Sequence, residues 1–435
     1  MAHIRPFAGI HYATRPDLDL SKVIAPPYDV LDVKEKAELQ SRHPNNIVTV
    51  DLPWLPPKTV GPQEAYDGAN VTLQAWLSAG ILKRDARPAL YPYTQTYEHA
   101  GKTFHRRGFF GLVRLSPFGH GQIVPHELTY ASAIEDRLKL MRATGVQLSP
   151  IFGLFSDPTS EVTKLLYGGV GRPQFDATMD GIRNQMWVVN DSSIVNRVED
   201  LMGTKPIYIA DGHHRYTTAL QYQKEMEQNN GGALPPEHPA NYCLFSLVSM
   251  QDDGLLILPT HRLIGGLQNF DIAKFKSLVA KNFDVAETSY GENEVDDFVD
   301  NELPKLPPHT FGLYDGRAKK LYQLALKNED VLKPFEPQKS DAWRRLDVAI
   351  LQRYLLDEVF APNFTANKEV TKGYTAYANQ VAPQVDGNKF QVALLLRSTP
   401  LHALEELGKH NEVMPQKSTF FYPKLATGMI INPLR

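Results

Sequence analysis

Five consecutive residues, Asp211-Gly212-His213-His214-Arg215, carry the densest chemistry in the chain. They follow the short apolar run 206–210. They precede Tyr216, Ala219, Leu220 and Gln223, spaced i, i+3, i+4 and i+7. The pattern predicts a strand, a tight turn and a helix, with the string at or just before the helix N-terminus. Amides at a helix N-terminus, together with the helix dipole, attract anions. An arginine there adds a planar, bidentate partner for phosphate. Gly212 lets the backbone approach a ligand closely, and neutral histidines add donors or metal-ligand capacity. The plain alternative is a capped helix, with Asp211 as the cap, one histidine packed and Arg215 solvated. Four multivalent polar side chains around one glycine exceed what capping requires. We therefore expect a phosphate site here, with Asp211 as its candidate metal ligand.

Weaker candidates lie elsewhere. In Pro125-His126-Glu127, a glutamate beside a histidine has the chemistry of a general base or a magnesium ligand. The two are sequence neighbours, so only a loop would make them converge. Asp29 sits in Pro26-Pro27-Tyr28-Asp29, where a rigid turn suits a catalytic carboxylate. Turns also favour aspartate for hydrogen bonding alone. Thr260-His261-Arg262 repeats the strand-end placement of His and Arg, either facing the same cleft or forming a structural salt bridge. Lys417-Ser418-Thr419 resembles the end of a phosphate loop but lacks the preceding glycine pattern. With Phe420, Phe421, Tyr422 and Lys424 it either lines a pocket or forms an edge strand. No zinc-protease helix motif, dinucleotide fingerprint or nucleophile elbow occurs, which argues against those enzyme classes.

Secondary elements must position these groups. Ala69, Leu73, Trp76 and Leu77 predict a helix over 67–77. Strands are expected over 89–96 and 103–115, joined by a hairpin turn at 98–102. A helix over 131–144 and a buried strand over 151–155 follow, then the strand–turn–helix at 205–227 and a strand over 241–249. Further on come a helix over 270–282, a hairpin at 311–326, a helix over 342–360, a strand over 392–396 and a helix over 401–408. Strands alternate with helices, yet several pair as hairpins, so the fold class is α/β to α+β with mixed sheets.

The chain has 435 residues, enough for more than one core. We expect an N-terminal α/β domain over 1–265 and a C-terminal α+β domain over 266–435, with the segment 414–424 returning to the cleft. With 46 basic and 49 acidic residues the net charge is −3, which argues against a dedicated nucleic-acid coat. The one cysteine, Cys243, excludes a disulfide framework within the chain and lies in an apolar run, as a buried hydrophobe would. No signal-peptide pattern or membrane span is read, so a soluble, cytoplasmic protein is expected.

Several strings together, Ala25 to Val30, His126-Glu127, Leu148 to Gly153, Ala210 to Tyr216, Pro259 to Arg262 and Lys417 to Lys424, resemble a bacterial family known as "domain of unknown function 1015". The similarity runs nearly end to end and names no reaction. The string Asp211 to Arg215 is also similar to the phosphate-binding box of the ParB/sulfiredoxin superfamily, especially its free-serine kinases. That resemblance implies a ParB/sulfiredoxin-like core and a link to serine metabolism. It also implies that Asp211, Gly212, His213, His214 and Arg215 contact phosphate or Mg²⁺, and that a glutamate serves the substrate hydroxyl. Glu127 is the nearest candidate but lies far upstream, and Asp29 is the other.

The expected function is a nucleotide-dependent phosphotransferase acting on a small hydroxy metabolite such as free serine, with ATP or ADP and Mg²⁺. The catalytic candidates are Glu127, His126 and Asp29. The phosphate contacts are Asp211 to Arg215, joined by His261, Arg262, Lys417, Ser418 and Thr419. A phosphoester hydrolase, a ParB-like nucleotide-dependent DNA binder and a non-catalytic metabolite sensor are the rivals. The expected partners are a nucleotide or phosphorylated small molecule, with a homodimer as the candidate assembly.

Overall fold

The computed structural model describes residues 3–119, 122–127, 129, 131–366 and 368–435. The chain forms two compact units. The first extends to Leu255 and takes in Pro423–Arg435; the second is Leu256–Tyr422.

The first unit is built on a mixed nine-stranded sheet. Its strands are β1 (Ile4–Arg5), β2 (Tyr91–His99), β3 (Lys102–Arg114), β4 (Ile123–Val124), β5 (Ile151–Phe155), β6 (Phe175–Met179), β7 (Ile182–Met186), β8 (Ile207–Asp211) and β9 (Tyr242–Ser249). The order across the sheet is β4-β8-β5-β9-β3-β2-β7-β6, with β1 paired to β3. β4–β8 and β5–β9 are parallel, and the remaining neighbours are antiparallel. The β2–β3 hairpin turns at Ala100-Gly101, both with positive φ, which matches the twist of the strands. Helices α1 (Ala131–Thr144) and α2 (His213–Asn229) belong to this unit.

β8 is largely buried, with Tyr208 and Asp211 partly exposed. Ile207 and Ile209 are fully buried and share a hydrophobic cluster with Tyr216 and Ala219 of α2 and Phe245 of β9. Tyr216 also fixes the first turn of α2. Its hydroxyl donates to the Ser116 carbonyl at 2.8 Å and accepts the Ser116 N–H at 3.0 Å. Cys243 is buried in the same core, which pushes its thiol pKa up to about 12.

The second unit holds a six-stranded antiparallel sheet. Its strands are β10 (His261–Gly265), β11 (Phe283–Gly291), β12 (Thr310–Asp315), β13 (Lys320–Leu326), β14 (Thr371–Thr375) and β15 (Val392–Leu395), ordered β11-β13-β12-β15-β10-β14. Helix α3 (Leu401–Lys409) follows β15.

Two expectations are corrected. The boundary lies at Leu255/Leu256 rather than at 265, because β10 pairs with β14 and β15 inside the second sheet. The chain end rejoins the first unit, where Asn432–Pro433 pair with Val146–Gln147 and Thr427 bridges to Ala25. The helix expected over 342–360 is interrupted. Asp341–Arg344 ends, and helix resumes at Asp347–Ala349 and continues as Ile350–Phe360.

Candidate functional site

Gly212 is where β8 becomes α2. It sits at the N-cap in a left-handed conformation, φ +97°, and no side chain caps the helix. A left-handed residue reverses the chain between strand and helix without a Cβ penalty. A Cβ at this position would lie 3.0 Å from Arg215 Nε and Nη2, so glycine also makes room for the guanidinium.

Asp211, the last residue of β8, gathers the charges. Its Oδ2 accepts from Arg215 Nη2 at 2.7 Å, and its Oδ1 accepts from Lys424 Nζ at 3.0 Å. Burial raises the carboxyl pKa, but Lys424 and Arg215 outweigh it and hold the group well below the usual carboxylate range. One carboxylate thus fixes two cations at the head of α2. Arg215 also donates to the Pro150 carbonyl from Nη1, and its side chain is only 12% exposed.

Behind Arg215 lies a cavity of about 40 Å³, with room for roughly three waters. Tyr28, Asp51, Arg137 and Ser149 line it with Arg215. Arg137 lies over the Tyr28 ring at 3.9 Å and bridges Asp136 and Asp51. Burial raises the Asp51 pKa against the pull of Arg137.

The two histidines flank the cradle, and backbone groups set the tautomer of each. His126 Nδ1 donates to the Ile209 carbonyl at 2.5 Å, since a carbonyl only accepts. The His126 backbone N–H donates to His213 Nε2 at 3.1 Å, so the neutral His213 carries its proton on Nδ1. The rings meet edge to face, 4.7 Å between centroids. Burial lowers both pKa values, most strongly that of His213, where the neighbouring His126 adds to the effect. Both imidazoles are therefore neutral at pH 7. His126 Nε2 then carries a lone pair, and Glu127 Oε1 lies 3.9 Å from it. His214 follows in the first turn of α2, where its carbonyl accepts from Thr218 Oγ1 at 2.8 Å.

The fold thus brings Asp211, Gly212, His213, Arg215, His126 and Glu127 into one neighbourhood. Asp29 is elsewhere in its commitments: Lys58 Nζ lies 3.3 Å from its carboxylate, and it is the neighbouring Tyr28 that lines the cavity behind Arg215. His261 and Arg262 fall in the second unit, both buried in β10. His261 Nδ1 accepts the Leu396 N–H at 3.3 Å, and burial pulls its pKa down to about 3. Arg262 donates to the carbonyls of Thr260 and Gln416. Lys417, Ser418 and Thr419 also belong to the second unit. Lys417 has φ +58°, the Ser418 hydroxyl donates to the Pro415 carbonyl, and the Ser418 carbonyl accepts from Thr399 Oγ1 at 2.9 Å. The Ser418 side chain is spent on a turn rather than on a phosphate loop.

Asp211, the expected magnesium ligand, is held between two cations. Each of its oxygens already accepts from a cation, and no group of three His, Cys, Asp or Glu suited to a metal occurs among the described residues. Three residues escaped sequence reasoning as site residues. Lys424 lies 213 positions from its partner, and only its positive charge near aromatics hinted at a role. The Asp51–Arg137 pair had no motif at all.

Among the described residues no helix is long and apolar enough to cross a membrane. A family model described as "Protein of unknown function (DUF1015)" matches residues 4–349. No curated protein matches the chain. Among solved structures, a conserved hypothetical protein from Pyrococcus furiosus is 15% identical, with a TM-score of 0.31 over 70% of this chain and 89% of that one. A free serine kinase in complex with AMP is 12% identical, with a TM-score of 0.29 over 69% and 83%. SbnI with a C-terminal truncation, from Staphylococcus aureus, is 11% identical, with a TM-score of 0.34 over 74% and 87%.

Proposed function

The chain belongs to the DUF1015 family of proteins of unknown function, and from that premise we propose that it is a nucleotide-dependent phosphotransferase acting on a small hydroxy metabolite, with free serine the leading acceptor. The observation that carries the reading is Asp211 holding Arg215 and Lys424 on its two oxygens at the uncapped head of α2. Two cations against one carboxylate, beside helix amides, leave a net attraction for phosphate. Phosphoryl transfer asks mainly for positioning and charge neutralisation, which such a cradle supplies.

The acceptor end is read from His126 and Glu127. Two lone-pair-bearing atoms 3.9 Å apart, His126 Nε2 and Glu127 Oε1, make a place for one hydroxyl proton. In this reading Glu127 takes the proton as the hydroxyl oxygen attacks the terminal phosphorus and the bond to the departing nucleotide breaks, and His126 acts as a positioning residue through its bond to the Ile209 carbonyl. Asp29 is kept as the second carboxylate candidate, with Lys58 as its present partner.

Arg215→Ala is expected to lower turnover by about tenfold or more, since an oriented charge at a transferring phosphoryl group contributes on the kcal/mol scale. Steady-state phosphorylation of serine with ATP or ADP as donor measures it, and an unchanged rate would sink the assignment. Incubation with phosphoserine but no nucleotide separates transfer from hydrolysis: release of free phosphate there identifies a phosphoester hydrolase instead.

A further inference from the structure

The second unit contains a larger cavity than the one behind Arg215. Its volume is about 490 Å³, within the range of small-molecule sites. Three stretches form its walls. The Pro308-His309 loop precedes β12, the break around Arg345 and Leu346 opens the interrupted helix, and residues 397–400 lead from β15 into α3.

The charges on these walls are unevenly compensated. Asp347 is held by His309, whose Nδ1 lies 2.7 Å from its carboxylate. Glu406 is held by Lys409 at 2.5 Å. Both carboxylates of the lining are thus neutralised. Arg397 has no carboxylate partner among the described residues. Its Nε donates to the Leu303 carbonyl at 3.0 Å and its Nη2 to the carbonyls of Leu306 and Pro307 at 2.8 and 2.6 Å. These bonds clamp one edge of the guanidinium to backbone and leave Nη1 as its remaining donor. The Arg345 guanidinium pairs with the exposed Glu329 at 3.3 Å. His309 is held with φ +55°, a conformation uncommon for a residue with a Cβ, and its ring lines the cavity.

We propose that this cavity is a second ligand site, distinct from the Asp211 cradle, which binds a small metabolite through an oxyanion, carboxylate or phosphate, seated between His309, Arg345 and Arg397. A clamped guanidinium with one donor edge left over is suited to an oxyanion. As the imidazolium, which its bond to Asp347 favours, His309 offers Nε2–H as a further donor on the same wall, its charge being matched by Asp347. The reading does not depend on the phosphotransferase proposal, since no residue is shared.

The test uses the full-length chain carrying Arg215→Ala, so that the Asp211 cradle does not contribute. Inorganic phosphate and citrate, as phosphate and carboxylate probes, are titrated by calorimetry, while histidine-ring NMR signals report the location. His309→Asn is chosen because asparagine tolerates positive φ, and Arg345→Ala because Arg345 is half-exposed. Saturable binding that moves the His309 signal, and that is weakened by about tenfold in Arg345→Ala with thermal unfolding unchanged or in His309→Asn at a pH where that variant is fully folded, supports the site. The probe that binds assigns the oxyanion. No binding of either probe at millimolar concentration, or binding indifferent to both substitutions, overturns it.

Discussion

At the scale of single residues, the candidate site turns on Gly212. Its φ of +97° excludes an ordinary side chain on conformational grounds, and the space a Cβ would fill belongs to Arg215. Gly212→Ala is therefore expected to cost about 1–3 kcal/mol of stability through backbone strain. It should also weaken nucleotide binding by displacing the guanidinium from Asp211. Urea unfolding and nucleotide titration of the variant check both effects, and unchanged affinity would show that the Arg215 geometry is not what binds phosphate. The glycine was legible as a need for close backbone approach. Its second role, yielding volume to a side chain three positions on, depends on the Arg215 rotamer. That rotamer is fixed by Asp211 and Pro150, not by local sequence.

At the scale of elements, β8 and α2 act as one lever. The apolar run on the strand and the i, i+3, i+4 pattern on the helix bury Ile209, Tyr216 and Ala219 in a common core, which sets the direction of the turn between them. Both were readable because they are local. The bond pair between Tyr216 and Ser116, a hundred positions apart, was not. Tyr216→Phe should remove both bonds and strand the Ser116 N–H in a partly buried setting, costing about 1–3 kcal/mol. Thermal denaturation measures the loss, and a variant as stable as the parent would mean that packing alone seats the helix. The interrupted helix near residue 345 was read as continuous because apolar spacing persists across the break, and periodicity does not register a two-residue interruption of the backbone.

At the scale of the whole molecule, buried histidines give stability a pH dependence of known sign. His126 and His213 are harder to protonate in the folded chain than in the unfolded one, because burial penalises the imidazolium. As pH falls through about 6.5 the unfolded chain takes up protons first. Their contribution is thus complete above that pH and is lost as pH falls toward the depressed folded values. His309 works in reverse, since its bond to Asp347 raises its pKa. Its contribution is complete below about pH 6.5 and is lost as pH rises through the elevated folded value. Melting temperatures of the parent, His213→Gln and His309→Asn across about pH 5 to 8 should show the first variant losing part of the acid-side decline. The second should lose part of the low-pH benefit, and parallel curves for all three would contradict both assignments.

The sequence by itself determined the elements whose information is local: the β2–β3 hairpin, the strand–turn–helix at Gly212, and the chemical character of Asp211 to Arg215. Tertiary structure decided which distant groups complete that string. It brought Lys424 to Asp211 and His126 to His213, and it assigned His261, Arg262 and the 417–419 turn to the other unit. The physical reason is range. Backbone periodicity and turn preferences act over a few residues, whereas the pairing of a lysine with a carboxylate 213 positions away follows from the chain end packing back into the first unit.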